Sequence, residues 1–324
     1  MAKPATPSRG ARDGDGVRVA GADDAKRLHT KALAGTLSDG VLRLSLVEAA
    51  YCIRSGWLDA GVPALDLLGH AADPRRTLTE SLVYDDLRSR GYVARHAPGR
   101  GHLDVWPRGK STGPVQFQTV ALHAADPART ADLLDGAGGI VCCVVDDDLI
   151  LTHYQLDLET PTGKVGTAPP PKADGVLVAD RVAVRDSAAR AAYAAAYLGT
   201  PGPDATFLSG LEAAWLHGQG LLRLPAGTRP SAPPEQVAAF AALRAAGVVA
   251  KSGFRFGSHL RGYIGAPDDT HADWLIHCAK PGEALSWDAL SRGVRLAHGV
   301  RKKFLVAIPD AATVRFVHLA WFRP

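Results

Sequence analysis

The chain has 324 residues, with 37 Lys and Arg against 33 Asp and Glu, a formal net charge of +4 with histidine neutral. A composition 46% hydrophobic and 22% charged is that of an ordinary globular protein, which excludes a disordered chain, and the length suggests about two domains. No run of ~18 apolar residues exists to cross a membrane, the first sixteen residues hold no apolar stretch of a signal peptide, and the charge is too mild to argue for nucleic acid by itself.

In chain order, residues 1–13 read as a flexible tail and 14–158 as one repeat. That repeat opens on Asp15-Gly16-Val17, continues through a helix around Leu44-Ser45-Leu46-Val47-Glu48-Ala49-Ala50-Tyr51, and reaches Leu87-Arg88-Ser89-Arg90-Gly91-Tyr92, where glycine caps a helix before a strand. Strands are expected over 115–122, 140–145 and 149–156, with Asp146-Asp147-Asp148 as an acidic hairpin tip between the last two. Clustered Pro and Gly make 159–172 a linker. The same blocks then return: Asp174-Gly175-Val176, Leu208-Ser209-Gly210-Leu211-Glu212-Ala213-Ala214-Trp215 at an offset of 164, and Leu243-Arg244-Ala245-Ala246-Gly247-Val248 at an offset of 156. Three blocks repeated in one order mark a tandem duplication. Residues 173–232 form the N-terminal part of the second repeat and 233–324 its C-terminal part, with strands over 175–179, 274–278 and 304–308. The expected fold class is α+β, a duplicated two-part repeat whose C-terminal part is a mixed sheet with flanking helices.

Cys52, Cys142, Cys143 and Cys278 form no C-x-x-C pair and no zinc spacing, so they read as small hydrophobes in a reducing, cytoplasmic setting, with no metal or cofactor implied. Gly109-Lys110-Ser111 lacks the upstream glycine of a P-loop, the required position being Asp104.

The copies differ in chemistry. The second holds Tyr263, His271 and Lys302; at the matching places the first has Trp106, Pro114 and the Gly138-Gly139 region. A basic helix is expected over 288–304, with Arg295 and Lys302 seven residues apart on one side and Leu290, Leu296 and Val300 as its apolar stripe. Phe256-Gly257-x-x-Leu260-Arg261-x-Tyr263, His271 and the string Val294-Arg295-Leu296-Ala297-His298-x-Val300-Arg301-Lys302-Lys303 resemble the catalytic domain of archaeal tRNA-splicing endonucleases, and Tyr84-Asp85-Asp86-Leu87-Arg88-Ser89-Arg90-Gly91-Tyr92 resembles that family's opening signature. The resemblance spans nearly the whole chain after the tail. Where the family has Lys-Phe-Gly-x-Asp-Phe, this chain has Arg255-Phe256-Gly257-Ser258-His259-Leu260, with His259 at the acidic position.

Cleavage of RNA through its own 2′-OH needs a base, an acid for the 5′-oxygen and positive charge for the developing dianion, and no metal. His271 suits the acid and Lys302 the cation; the resemblance assigns the base to Tyr263 and implies 2′,3′-cyclic phosphate and 5′-hydroxyl ends. It further implies a homodimer acting on the bulge–helix–bulge motif of precursor tRNA. Two arginines of opposite subunits would sandwich a bulged base, Arg295 and either Arg323 or Arg315, and an acidic loop, here Asp146, Asp147 and Asp148, would dock on the partner. Two alternatives stand beside this reading: a metal-dependent nuclease using Asp268, Asp269, His271 and Asp273, and a non-catalytic RNA-binding or assembly subunit.

Overall fold

A computed structural model describes residues 6–97, 101–110, 112–310 and 313–324. Residues 1–5 of the expected tail, Ser111 of the rejected P-loop, and Ala311 and Ala312 lie outside the described residues. The chain divides into two compact units: the described residues up to Asp126 with Gly139–Leu156 and Trp321–Pro324, and Pro127–Gly138 with Asp157–Ala320.

In the first unit the alternation of Val17, Val19, Leu42 and Leu44 with polar neighbours builds a small antiparallel sheet, Ala11–Asp13, Gly16–Val19, Val41–Ser45 and Thr36–Ser38. Helices Ala22–Ala32 and Leu46–Arg54 cover it. The tail expectation fails beyond residue 7: Ser8–Arg9 pairs in parallel with Leu58–Asp59, and Ala11–Asp13 is the sheet's edge strand. Helix Pro74–Ser89 packs on a second sheet in which Val93–Ala97, His102–Trp106, Phe117–His123 and Gly138–Val145 follow in spatial order, the last two parallel. Val83, Tyr84, Leu87, Val105 and Cys143 are wholly buried between helix and strands.

The second unit repeats this plan. Its first sheet contains Ala173–Val178, Arg181–Val184 and Thr206–Leu208, with helices Ser187–Ala195 and Gly210–Gly218. Its second sheet runs Val249–Ser252, Leu260–Tyr263, Trp274–Cys278, Lys303–Pro309, Val314–Phe322. All neighbours there are antiparallel except Trp274–Cys278 with Lys303–Pro309, and the helix Trp287–Gly299 lies between those two strands in the chain. A parallel pair demands such a crossover. Tyr193, Leu216, Phe240, Leu243, Ile276 and Leu305 belong to one buried core under both sheets. The expected linker is partly structural: Glu159 still belongs to the strand Leu151–Glu159, and the amides of Gly163, Lys164 and Val165 donate to Ala246, Ile264 and Gly247 at 2.8, 2.8 and 3.1 Å.

The duplication extends to single hydrogen bonds. Ser45 caps Leu46–Arg54 by accepting from the Glu48 amide, and the Glu48 carboxylate accepts from the amides of Ser45 and Gly35 at 3.0 and 3.1 Å. Ser209, Glu212 and Gly199 rebuild the same box on Gly210–Gly218, both distances being 2.9 Å. Gly35 and Gly199 have φ of 71° and 67°, which a side chain would strain. Arg88 donates to the carbonyl of Leu33, and its counterpart Arg244 to that of Ala196, at 3.2 and 3.0 Å.

Candidate active site

Strand register explains why residues far apart in sequence meet. Gly262 lies opposite Trp274, and Trp274 opposite Lys303. Tyr263, the last residue of its strand, and Asp273 and Lys302, each just before theirs, therefore stand one residue beyond this row, with His271 two residues before Asp273. These ends bound a groove of about 1330 Å³ lined by Glu159, Phe256, His271, Trp274, Arg301, Lys302 and their neighbours.

Lys302 and Tyr263 both meet Ala272, the residue that follows His271. Lys302 Nζ donates to the Ala272 carbonyl at 2.8 Å and lies 6.0 Å from the Phe256 ring centre. His271, adjacent in the chain, is exposed on the groove wall after a turn closed by Thr270, whose amide and hydroxyl both bond the Ala266 carbonyl. Tyr263, only 5% exposed, packs with Val249 and Ala272 and does not line the groove as His271 and Lys302 do. The Arg261 guanidinium lies 5.7 Å from its ring centre.

The helix differs from expectation. It spans Trp287–Gly299 and ends because Val300 caps it and Arg301 turns left-handed at φ 56°. Lys302 therefore lies off the helix, in the turn before the strand, and shares no helical face with Arg295. The buried stripe is Trp287, Leu290, Val294 and Ala297, while Leu296 and Val300 are 43% and 37% exposed. Arg295 is exposed on this helix; Arg292 pairs with Asp288 at 2.8 Å. Arg323 is exposed with its guanidinium 5.9 Å from the Trp321 ring centre, whereas Arg315 is engaged by Asp310 at 3.4 Å.

Asp146 is built into its turn, its Oδ1 accepting from the amides of Asp148 and Ile150 at 3.0 and 2.9 Å. Asp147 is 97% exposed beside His123, and Asp148, Leu149 and Ile150 complete an acidic and apolar tip. Among the described residues, no three His, Cys, Asp or Glu side chains cluster as a metal site would require, so Asp268, Asp269, His271 and Asp273 do not form a ligand set; Asp273 instead accepts from the Ile264 amide at 2.9 Å.

His259, at the position where the resembled family has an acid, accepts at Nδ1 a hydrogen bond of 2.9 Å from the Cys278 amide. Its ring lies 4.5 Å from that of His277, and burial depresses the pKa of both imidazoles. Burial also pushes the Cys278 thiol up to about 12, which leaves it an inert core group, and all four cysteines are buried and outside any disulfide. Glu159, Trp274 and Lys303 line the groove without any sequence signal: Lys303 Nζ lies 2.9 and 3.0 Å from the two Glu159 oxygens, and Trp274 Nε1 donates to Glu159 at 3.3 Å.

The fold is a duplicated two-part α+β repeat, with His271, Lys302 and Lys303 in a groove at one end of the second copy's sheet. The family model described as tRNA intron endonuclease, N-terminal domain, matches twice, at residues 9–68 and 173–235, and the tRNA intron endonuclease, catalytic C-terminal domain, matches residues 234–316. The chain belongs to the tRNA intron endonuclease family. It is 32% identical to the tRNA-splicing endonuclease of Halobacterium salinarum over an alignment of 344 residues, covering 96% of this chain and 98% of that one. Likeness to the tRNA-splicing endonuclease of Natronomonas pharaonis is also 32%, at the same coverage, and to that of Methanosarcina mazei 27% over 94% of this chain and 96% of the other. No helix among the described residues is long and apolar enough to cross a membrane.

Proposed function

We propose that this enzyme excises introns from precursor tRNA by cutting both strands of a bulge–helix–bulge motif without a metal ion. The observation that carries the reading is the register that gathers Tyr263, His271 and Lys302 around Ala272 in the second copy. In the reaction, the 2′-oxygen attacks the adjacent phosphorus while Tyr263, through its phenolate oxygen, takes the hydroxyl proton. His271 protonates the departing 5′-oxygen as the P–O bond breaks. Lys302 stabilises the charge on the non-bridging oxygens. The products are a 2′,3′-cyclic phosphate and a 5′-hydroxyl.

In this reading residues 14–158 are a pseudo-catalytic repeat and 233–324 the nuclease domain. Arg295 and Arg323, from opposite subunits of a homodimer, stack on a bulged base; support comes from the exposure of both guanidinium groups, whereas Arg315 is held by Asp310. The tip at Asp146, Asp147 and Asp148 docks on the partner. A pocket lined by Arg181, Arg261 and Lys251, the last paired with Glu212 at 3.3 Å, offers cations of the right sign, and among the described residues the buried Arg261 Nε has no hydrogen-bond partner.

The test is incubation of purified protein with a bulge–helix–bulge RNA in EDTA, with the product ends mapped. Cyclic phosphate and 5′-hydroxyl ends are expected. Loss of cleavage in EDTA would replace this chemistry with the metal-dependent reading, and sedimentation of the Asp146, Asp147 and Asp148 triple alanine variant should show a weakened dimer that cleaves poorly.

A further inference from the structure

A groove that binds an RNA backbone gains affinity from every free cation on its wall, and gains it for any RNA. This groove carries an exception to its own basic character. Glu159 lines it from the end of the strand Leu151–Glu159, with its side chain only 19% exposed. Both carboxylate oxygens are occupied by one ammonium, Lys303 Nζ, at 2.9 and 3.0 Å, and the indole of Trp274 donates to Oε1 at 3.3 Å. Lys303 is fixed from its other side by the strand pairing that sets it opposite Trp274, and by its amide bond to the Asp273 carbonyl at 3.0 Å. Among the described residues no carboxylate pairs with the neighbouring Lys302: its Nζ donates to the Ala272 carbonyl, and the residue lines the groove.

Resting on the RNA-binding reading of this groove, we infer that Glu159 is a specificity-determining residue, an internal counterion that withdraws Lys303 from phosphate recognition. Two adjacent lysines at the mouth of a nuclease site are thereby made unequal. Lys302 is presented to the substrate and Lys303 is neutralised. A groove with one less phosphate contact binds arbitrary RNA less tightly, so the ratio between a substrate with the correct bulge and an RNA without one rises. The carboxylate stands at the end of the strand Leu151–Glu159, 144 residues before Lys303.

Each phosphate contact steepens the dependence of binding on salt by about 0.7 to 0.9 in log–log slope, which makes the inference countable. Binding of a bulge–helix–bulge RNA and of a bulge-free duplex should be measured across salt concentrations, in protein carrying His271→Ala so that neither RNA is cut. Glu159→Gln keeps an oxygen to accept from Trp274 and frees Lys303. It should bind both RNAs more tightly, steepen the slope by about 0.7 to 0.9, and narrow the preference for the bulged RNA. Adding Lys303→Met to Glu159→Gln should restore the wild-type slope. An unchanged slope in Glu159→Gln, or a steepened slope that survives the added Lys303→Met, overturns the counterion. Lys302→Met separates the two readings. If it flattens the slope while Glu159→Gln does nothing, only the counterion is wrong. If it changes nothing either, the groove does not bind RNA and both readings fall.

Discussion

The two repeats run the same local physics to different ends. Their N-terminal parts match bond for bond, from the Ser–Glu capping boxes to the left-handed glycines at Gly35 and Gly199. Their C-terminal sheets keep the same register, with Trp106 in the first copy at the place of Tyr263 and Gly138 at that of Lys302. What separates them is the crossover helix, Thr130–Gly136 in one and Trp287–Gly299 in the other. The first is 7 residues long and the second 13. On the proposed division, the first copy differs in scaffold as well as in side chains, and restoring Tyr, His and Lys there is not expected to create a site.

The largest effects should expose that asymmetry. His271→Ala is expected to slow cleavage at least ~100-fold while RNA binding stays nearly intact, because an acid acts chiefly in the transition state. Lys302→Ala should do the same with some loss of binding, since a cation also attracts the ground-state phosphate. Trp106→Tyr at the mirror position, with folding checked by thermal unfolding, should leave the single-turnover rate unchanged. Equal rate losses in the two copies would end the division into a catalytic and a structural repeat.

Next in size is Arg295. Replacing it with Lys preserves charge but not a planar stacking face, so cleavage of bulged RNA should fall about tenfold, matching the upper range of cation–π energies. A fully active Lys variant would reduce Arg295 to a phosphate contact, and the longer helix to a mere spacer.

How much of this was legible in the sequence depends on range. The repeated Leu-Ser-x-x-Glu-Ala-Ala blocks carry the duplication because a capping box is a three-residue event. The α+β class and the mixed sheets follow from strand-length apolar runs such as 274–278. The helix end escaped because nothing in Val300-Arg301-Lys302 forbids another turn; Arg301 adopts a left-handed conformation that its residue type rarely takes, fixed by the strand that starts at Lys303. The ordered residues 8–13 escaped because their partners are supplied by Leu58–Asp59 and Gly16–Val19. Glu159 had no local signal at all, since only sheet register brings it to Lys303.

A smaller effect tests the shared scaffold. Ser45→Ala and Ser209→Ala each remove one cap acceptor and should each cost about 1 kcal/mol in urea unfolding. The two values should agree within a few tenths of that. A Ser209 variant much less affected would mean that Lys251, 3.3 Å from Glu212, holds the second box without its serine.

The smallest effect lies at His259, where the copies diverge in how a histidine is held. In the first copy His102 lies 3.4 Å from Asp104 and 3.0 Å from Gln118. In the second, His259 accepts from the Cys278 amide and stacks on His277, so its Nδ1 must stay unprotonated for the bond to exist. Burial depresses its pKa, helped by Lys280 and opposed by the carboxylates of Glu235 and Glu283; His277 is depressed by burial and by His259. A histidine whose folded pKa lies below the unfolded value of about 6.5 binds fewer protons in the folded state than in the unfolded one. Stability is then fully present above about pH 6.5 and falls as the pH drops toward the depressed folded value. His259→Asn keeps an oxygen for the Cys278 amide and cannot titrate. Thermal midpoints measured between pH 7 and pH 5 should therefore decline less steeply in His259→Asn than in the wild type, with little difference between the two proteins at pH 7. Parallel declines would assign the acid sensitivity of this repeat to His277 or His318, the latter also depressed by its burial, and would leave His259 as an acceptor only.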